Sequence, residues 1–291
     1  LYLPRHYGLK YYGKPDQDKL LQVGEKINIT FNGKLRKEQQ PVIDAFVSAS
    51  QKQGGGLISL PCGYGKTIVG LYLLSYLKTK TLIIVHKDFL VNQWIERINF
   101  FLPTARVGII KQNKVQLDDK DIVIGMLQSI SMRDYPSDTF TSFGFVIVDE
   151  CHHLGAEVFS RALPKINTKY MLGLSATPDR KDGLSCVFEY YLGPMVYCIK
   201  QREEEGEVRV KWIEFYSMEE NYHKESYNFK GFINSPKMVT QISKYPPRNE
   251  LIMKEITSGI NDGRKILLLS DRREHLEKIH QLVTDSKIAS V

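Results

Sequence analysis

Short, mostly apolar runs punctuate the first two-thirds of the chain, at residues 57–61, 81–85, 106–110, 121–125, 145–149 and 171–175. Between several of them the apolar residues return every three or four positions, at 65–78, 87–101 and 155–163, as on one face of a helix. A further helical pattern covers 34–53, where Val42, Ile43, Phe46 and Val47 are apolar, and it ends at Gly54-Gly55-Gly56. Their centres are apolar without alternation, which predicts strands buried on both faces. Strands of that kind, separated by helices, predict an α/β fold with a parallel sheet covered on each side. No repeat of 20–50 residues interrupts this order.

The pattern changes at both ends. Residues 1–33 are rich in Tyr, Gly and Pro, with one short strand expected over 26–31, and read as an accessory lead-in to a domain at 34–200. Near residue 200 the charged stretch Arg202-Glu203-Glu204-Glu205-Gly206-Glu207 reads as a linker or exposed turn. In 201–291 the alternation of 208–216 predicts a strand, 248–260 a helix, 265–270 a buried strand and 272–283 a helix.

Two of the turns carry chemistry. The strand ending at Leu60 runs through Pro61-Cys62-Gly63-Tyr64-Gly65-Lys66-Thr67 directly into a helix. At such a junction backbone N–H groups and the helix N-terminus face an anion, the lysine reaches outer phosphates and the threonine hydroxyl ligates Mg²⁺. The strict phosphate-loop pattern wants glycine at position 60, and the chain has Leu60, with its glycine at Gly63. A glycine-rich turn with a chance lysine is the alternative. The second turn follows the run Phe145-Val146-Ile147-Val148 and reads Asp149-Glu150-Cys151-His152. An acidic pair at the carboxyl end of a buried strand stands where α/β sheets place ligands. Asp149 is the candidate holder of Mg²⁺ and Glu150 the candidate base for an attacking water. Ser175-Ala176-Thr177-Pro178 ends the next run, and Ser175, Thr177 and His152 are candidates for linking the carboxylates to the rest of the protein.

Three motifs in this order, Gly-Lys-Thr, Asp-Glu-x-His and Ser-Ala-Thr, make the chain resemble a superfamily 2 helicase over about residues 34–291. Leu35-Arg36-x-x-Gln39 and Leu60-Pro61-Cys62-Gly63-x-Gly65-Lys66 bring it nearer to the XPB-like branch of DNA helicases and translocases. Leu3-Pro4-Arg5-His6-Tyr7-Gly8-Leu9 and the compact layout resemble versions from large DNA viruses. The resemblance implies a RecA-like domain followed by the start of a second one, with ATP and Mg²⁺ as cofactors. It implies that Gln39 reads the adenine edge, with Arg36 beside it. It places strand-contacting motifs at 85–94, with His86, Lys87 and Gln93, and at 125–129, with Gln128 and Ser129. It also implies a monomeric motor on single-stranded or duplex DNA, working with transcription or repair proteins in the nucleus, the cytoplasm or a viral replication site.

Two departures shape the expected activity. The family's arginine-bearing motif of the second domain has no counterpart, so this chain by itself is expected to bind nucleotide and to be close to inert in hydrolysing it. Asp179-Arg180-Lys181-Asp182-Gly183 stands in place of the XPB-like Arg-Glu-Asp triplet, so strand opening by that triplet is not expected and translocation on duplex stays open beside other routes of opening.

Composition narrows little. The 291 residues are 42% hydrophobic and 25% charged, an ordinary globular balance. The net charge of +7 lies in the first 200 residues, which suits a phosphate-tracking surface and equally an ordinary lysine-rich protein. No apolar run approaches a membrane span, and the first residues lack the pattern of a signal peptide, so an intracellular protein without membrane attachment is expected. Cys62, Cys151, Cys186 and Cys198 form no close pairs and argue for a reducing compartment. His152 and His153 are adjacent and point apart, which disfavours a transition-metal site. Besides a DNA motor, an RNA-directed DExH helicase and a non-catalytic nucleic-acid scaffold share these features.

Overall fold

A computed structural model describes residues 3–16, 23–151, 156–176, 185–199 and 210–286. The chain divides into two units, Leu1–Glu203 and Glu204–Val291.

The first unit is built on an eight-stranded sheet: β1 (Gly55–Ser59), β2 (Thr81–Val85), β3 (Val107–Lys111), β4 (Lys114–Val115), β5 (Ile122–Met126), β6 (Phe145–Val148), β7 (Tyr170–Ser175) and β8 (Met195–Cys198). Their order across the sheet is β4-β3-β5-β2-β6-β7-β1-β8. All pairings are parallel except the short β3–β4 hairpin at one edge. Every residue of β1 and β2 is buried, the pattern of strands with helices on both faces. The helices are α1 (Arg5–Tyr12), α2 (Gln40–Gln53), α3 (Lys66–Leu77), α4 (Asp88–Phe101), α5 (Leu127–Met132), α6 (Ala156–Ala162) and α7 (Ser185–Leu192). One core, on the side of α2, α3 and α4, gathers Phe46, Leu71, Trp94 and Ile98 against Ile58, Ile83 and Ile147. The other packs Phe140, Phe143, Phe159 and Phe188 against Leu82, Val146 and Met171. This is the α/β sheet expected for a RecA-like domain.

Gly55 shows why the sheet closes as it does. Its φ is +147°, and a β-carbon there would lie 1.8 Å from the carbonyl oxygen of Met171 on β7. Only glycine lets β1 begin that close to its neighbour.

The strand expected over 26–31 does not form. Lys26 makes a single isolated bridge to Thr79, and the segment instead buries Ile27 and Ile29 in the core. Phe31 stacks on Phe101 with ring centroids 5.4 Å apart, so side-chain packing rather than a ladder holds it. Helix α1 was also not foreseen. It lies on the first unit through Arg5, which donates to the carbonyl of Lys169 at 2.9 Å, and through Tyr7, edge-on to Tyr190 at 5.0 Å.

The second unit contains helices α8 (Glu220–His223), α9 (Ser235–Ser243), α10 (Pro246–Asn261) and α11 (Arg273–Asp285). Both strands expected here are absent among the described residues. A strand exists only where a neighbour pairs with it, and the described residues of this unit supply none. Residues 210–216 form no regular element, with Trp212 exposed and Phe215 packed edge-on to Tyr222 and Tyr245. Residues 265–270, expected to be buried, leave Leu267 and Leu269 exposed. His275, at the start of α11, ties the unit together: one ring nitrogen lies 3.0 Å from Ser270 Oγ and the other 3.0 Å from Asn249 Oδ1. Among the described residues no helix is long and apolar enough to cross a membrane.

Candidate nucleotide-binding site

The strand order brings three carboxyl ends side by side: β6 with Asp149, β7 with Ser175 and β1 with the loop that follows it. The Leu60 N–H donates to the Ser175 carbonyl at 2.9 Å, which locks the start of the loop to the end of β7. Gly63 and Gly65 both take positive φ, +78° and +92°. Space around Gly63 is open, but a β-carbon at Gly65 would sit 2.6 Å from Gln39 Nε2. Helix α3 begins at Lys66 with no side chain capping its first turn, so its leading N–H groups remain available to an anion.

Two residues upstream clamp this loop. Gln39, almost fully buried, donates from Nε2 to the Tyr64 carbonyl at 3.0 Å and accepts the Arg36 N–H at Oε1, also at 3.0 Å. The Arg36 guanidinium donates to the carbonyls of Gly63, at 3.4 Å, and Tyr64, and lies 5.6 Å from the centre of the Tyr64 ring. The Tyr64 hydroxyl returns a bond to the Glu38 carbonyl at 2.6 Å. In this structure both ends of the Gln39 amide are engaged, Nε2 with the loop and Oε1 with the Arg36 backbone; a contact to an adenine edge requires exchanging them. Pro61 and Cys62 line the start of the same loop, with Cys62 exposed.

Lys66 turns back toward the carboxylates. Its ammonium lies 3.6 Å from Glu150 Oε1 and donates to the Leu60 carbonyl at 3.3 Å. Thr67 follows in the first turn of α3. Glu150 holds a φ of +48°, an uncommon conformation for a residue with a side chain, and strain of this kind collects at functional sites. Asp149 is buried, with Oδ2 accepting the Trp94 indole N–H at 2.8 Å and Oδ1 accepting the Glu150 N–H at 3.0 Å. Burial pushes the Asp149 carboxyl up to about 6, the Trp94 bond works against this, and the neighbouring Glu150 adds to it. A divalent cation beside such a group favours its charged form.

These features fit Mg²⁺ and a nucleotide phosphate: a lysine, a hydroxyl, unspent helix N–H groups and two carboxylates converge at one edge. Among the described residues no group of three or more His, Cys, Asp or Glu side chains is placed to hold a metal ion by itself. His152, His153, Thr177 and residues 179–183 lie outside the described residues.

The strand-contacting candidates occupy the other half of the same sheet edge. His86 and Lys87 follow β2, Lys87 is exposed, and Gln93 is exposed on α4. Gln128 and Ser129 hold loops together. Gln128 Nε2 donates to the His86 carbonyl at 3.2 Å, and the Ser129 hydroxyl accepts the Gln112 N–H at 2.8 Å, at the β3–β4 turn.

The sequence reading missed the Trp94–Asp149 bond. Trp94 falls on the apolar stripe of α4 with Leu90, Val91 and Ile98 and reads as core. A signal was present all the same, because a buried indole N–H needs an acceptor.

Residues 32–180 match the family described as type III restriction enzyme, res subunit. The chain belongs to this family. Its res-subunit region carries the motif order of a superfamily 2 helicase, and its relatives bear helicase and translocase names. One is a protein of Acanthamoeba polyphaga mimivirus named as an ATP-dependent RNA helicase, 35% identical over 98% of this chain and 55% of its own length. A helicase of Invertebrate iridescent virus 3 is 28% identical over 72% of this chain and 66% of its own. A DNA 3'-5' translocase of Sulfurisphaera tokodaii is 35% identical over 65% of this chain and 40% of its own. The chain spans about half the length of the curated relatives it matches.

Proposed function

We propose that the chain binds Mg·ATP at the Lys66 loop and is the nucleotide-binding part of an ATP-dependent DNA helicase or translocase. The observation that carries this reading is the convergence of Lys66 on Glu150 at 3.6 Å, beside a buried Asp149 and a loop held open by Gly63 and Gly65. Lys66 binds the outer phosphates once its ammonium leaves Glu150. Glu150, released from that ion pair, takes a proton from the attacking water. Thr67 and Asp149 hold the Mg²⁺, which supplies charge neutralisation on the transferring phosphoryl group. Ser175 joins the end of β7 to the phosphate loop through its carbonyl, a route by which the state of the site reaches the neighbouring strand.

DNA is gripped at the His86, Lys87 and Gln93 edge, with Gln128 and Ser129 setting the loop positions. Contacts of this kind fall on backbone phosphates, so affinity falls with salt. The mimivirus relative's name favours RNA as a second reading. Nucleotide turnover with no nucleic acid, single-stranded DNA, duplex DNA and RNA side by side separates the two. Stimulation by RNA alone overturns the DNA assignment.

A further inference from the structure

We propose that Trp94 is a positioning residue for the metal-side carboxylate, its indole N–H fixing the plane in which Asp149 presents its oxygens. This rests on the Mg·ATP reading above. Asp149 accepts one bond at each oxygen, from Trp94 at 2.8 Å and from the Glu150 N–H at 3.0 Å. Two donors on opposite oxygens stop the carboxylate from rotating and leave one lone pair on each oxygen for a further partner. The backbone is held as well, since the Asp149 N–H donates to the Ile84 carbonyl at 3.0 Å.

The indole also spans the two halves of the site. Trp94 is 1% exposed, and the edge of its ring lies where a β-carbon on Gly70 of α3 would meet it at 3.2 Å. Helix α3 carries Lys66 and Thr67 at its start. One side chain from α4 therefore contacts both the helix bearing the phosphate-binding lysine and the carboxylate opposite. A tryptophan acting only as core filler needs an acceptor but not this one; here the acceptor is the charged group of the site. Partners of this kind, which orient a ligand without touching the metal, set metal affinity.

The chain has two tryptophans, Trp94 and Trp212, so its ¹⁵N spectrum shows two indole N–H resonances, and Trp212→Phe assigns them. The Trp94 resonance is expected downfield and slow to exchange, and it should move on Asp149→Asn and on addition of Mg·ADP. In Trp94→Phe, affinity for Mg·ADP should fall roughly tenfold while affinity for ADP in EDTA changes by less than about twofold. A thermal melt shows whether the variant folds; if it does not, the wild-type resonance still decides. An indole resonance indifferent to Asp149→Asn, or equal losses with and without Mg²⁺ in a folded Trp94→Phe, overturns the positioning role. Failure of the wild-type chain to bind nucleotide in any condition instead overturns the functional reading beneath it.

Discussion

Gly65→Ala tests the phosphate loop through a single methyl group. Gly65 sits at φ +92° and ψ +42°, and an alanine held in a left-handed conformation costs about 1–2 kcal/mol. The new β-carbon would also lie 2.6 Å from Gln39 Nε2. Gln39 is 2% exposed, so it cannot swing into water without opening the core beneath it. Pushing its amide off the Tyr64 carbonyl leaves buried polar groups unpaired, at about 1–3 kcal/mol. The combined loss of about 2–5 kcal/mol is a large fraction of the stability of a domain this size. It should appear as a drop of roughly 5–15 °C in the melting temperature of the first unit. Nucleotide affinity should fall as well, since the loop loses the clamp that shapes it. In a Gln39→Ala background the clash disappears, and the cost of Gly65→Ala should shrink to the backbone part alone. A Gly65→Ala protein that melts within about 2 °C of wild type and binds nucleotide normally would refute the clamp. Equal costs in both backgrounds would refute the role of Gln39.

Other outcomes follow from the same structure. His6 is buried, and burial first, with Arg5 beside it, lowers its ring from 6.5 to about 4. The unfolded chain therefore takes up a proton that the folded one refuses. Stability should be complete above pH 6.5 and fall as pH drops toward 4, by up to about 3 kcal/mol, with His6→Leu flattening urea unfolding curves across that window. Glu150→Gln should keep nucleotide binding and lose turnover, because an amide fills the space but takes no proton from water; turnover within about twofold of wild type means the base lies elsewhere. In the second unit, His275→Ala breaks bonds to both Ser270 and Asn249 and should cost about 1–3 kcal/mol in chemical denaturation. A cost near zero there shows that the network is not structural.

The elements of the first unit were legible where hydrophobicity is strongest. The runs at 81–85 and 121–125, which become β2 and, shifted by one residue, β5, lie in the middle of the sheet, and their apolar pattern needs no tertiary information to read. Edge elements were not legible. β4 is two exposed residues, and β8, Met195–Cys198, is apolar but only four residues long and partly buried, so neither stands out as a core strand. The reverse failure occurred at 265–270, where an apolar run looked like a core strand and lies without a ladder partner. Apolarity states what a segment could bury, not whether a neighbour is present to pair with it. In the candidate site, the meeting of Lys66 with Glu150 beside Asp149 was foreshadowed by their places just after buried strands, since neighbouring strands bring such ends together. Gln39 was read as a ligand contact, and its engagement with the Tyr64 carbonyl depends on how far α2 lies from the loop, which no local pattern encodes. Gln128 and Ser129 likewise emerge as loop fasteners only once β2, β3 and β5 are seen side by side.

The central claim is that the Lys66 loop and the Asp149–Glu150 pair form one Mg·nucleotide site. Calorimetric titration of ATP into the 291-residue chain tests it most directly, with and without Mg²⁺, for wild type and Lys66→Ala. Binding that strengthens with Mg²⁺ in wild type and is lost in Lys66→Ala, with the melting curve of the free protein unchanged, is the expected result. Equal binding by both proteins, or binding indifferent to Mg²⁺, would contradict the assignment.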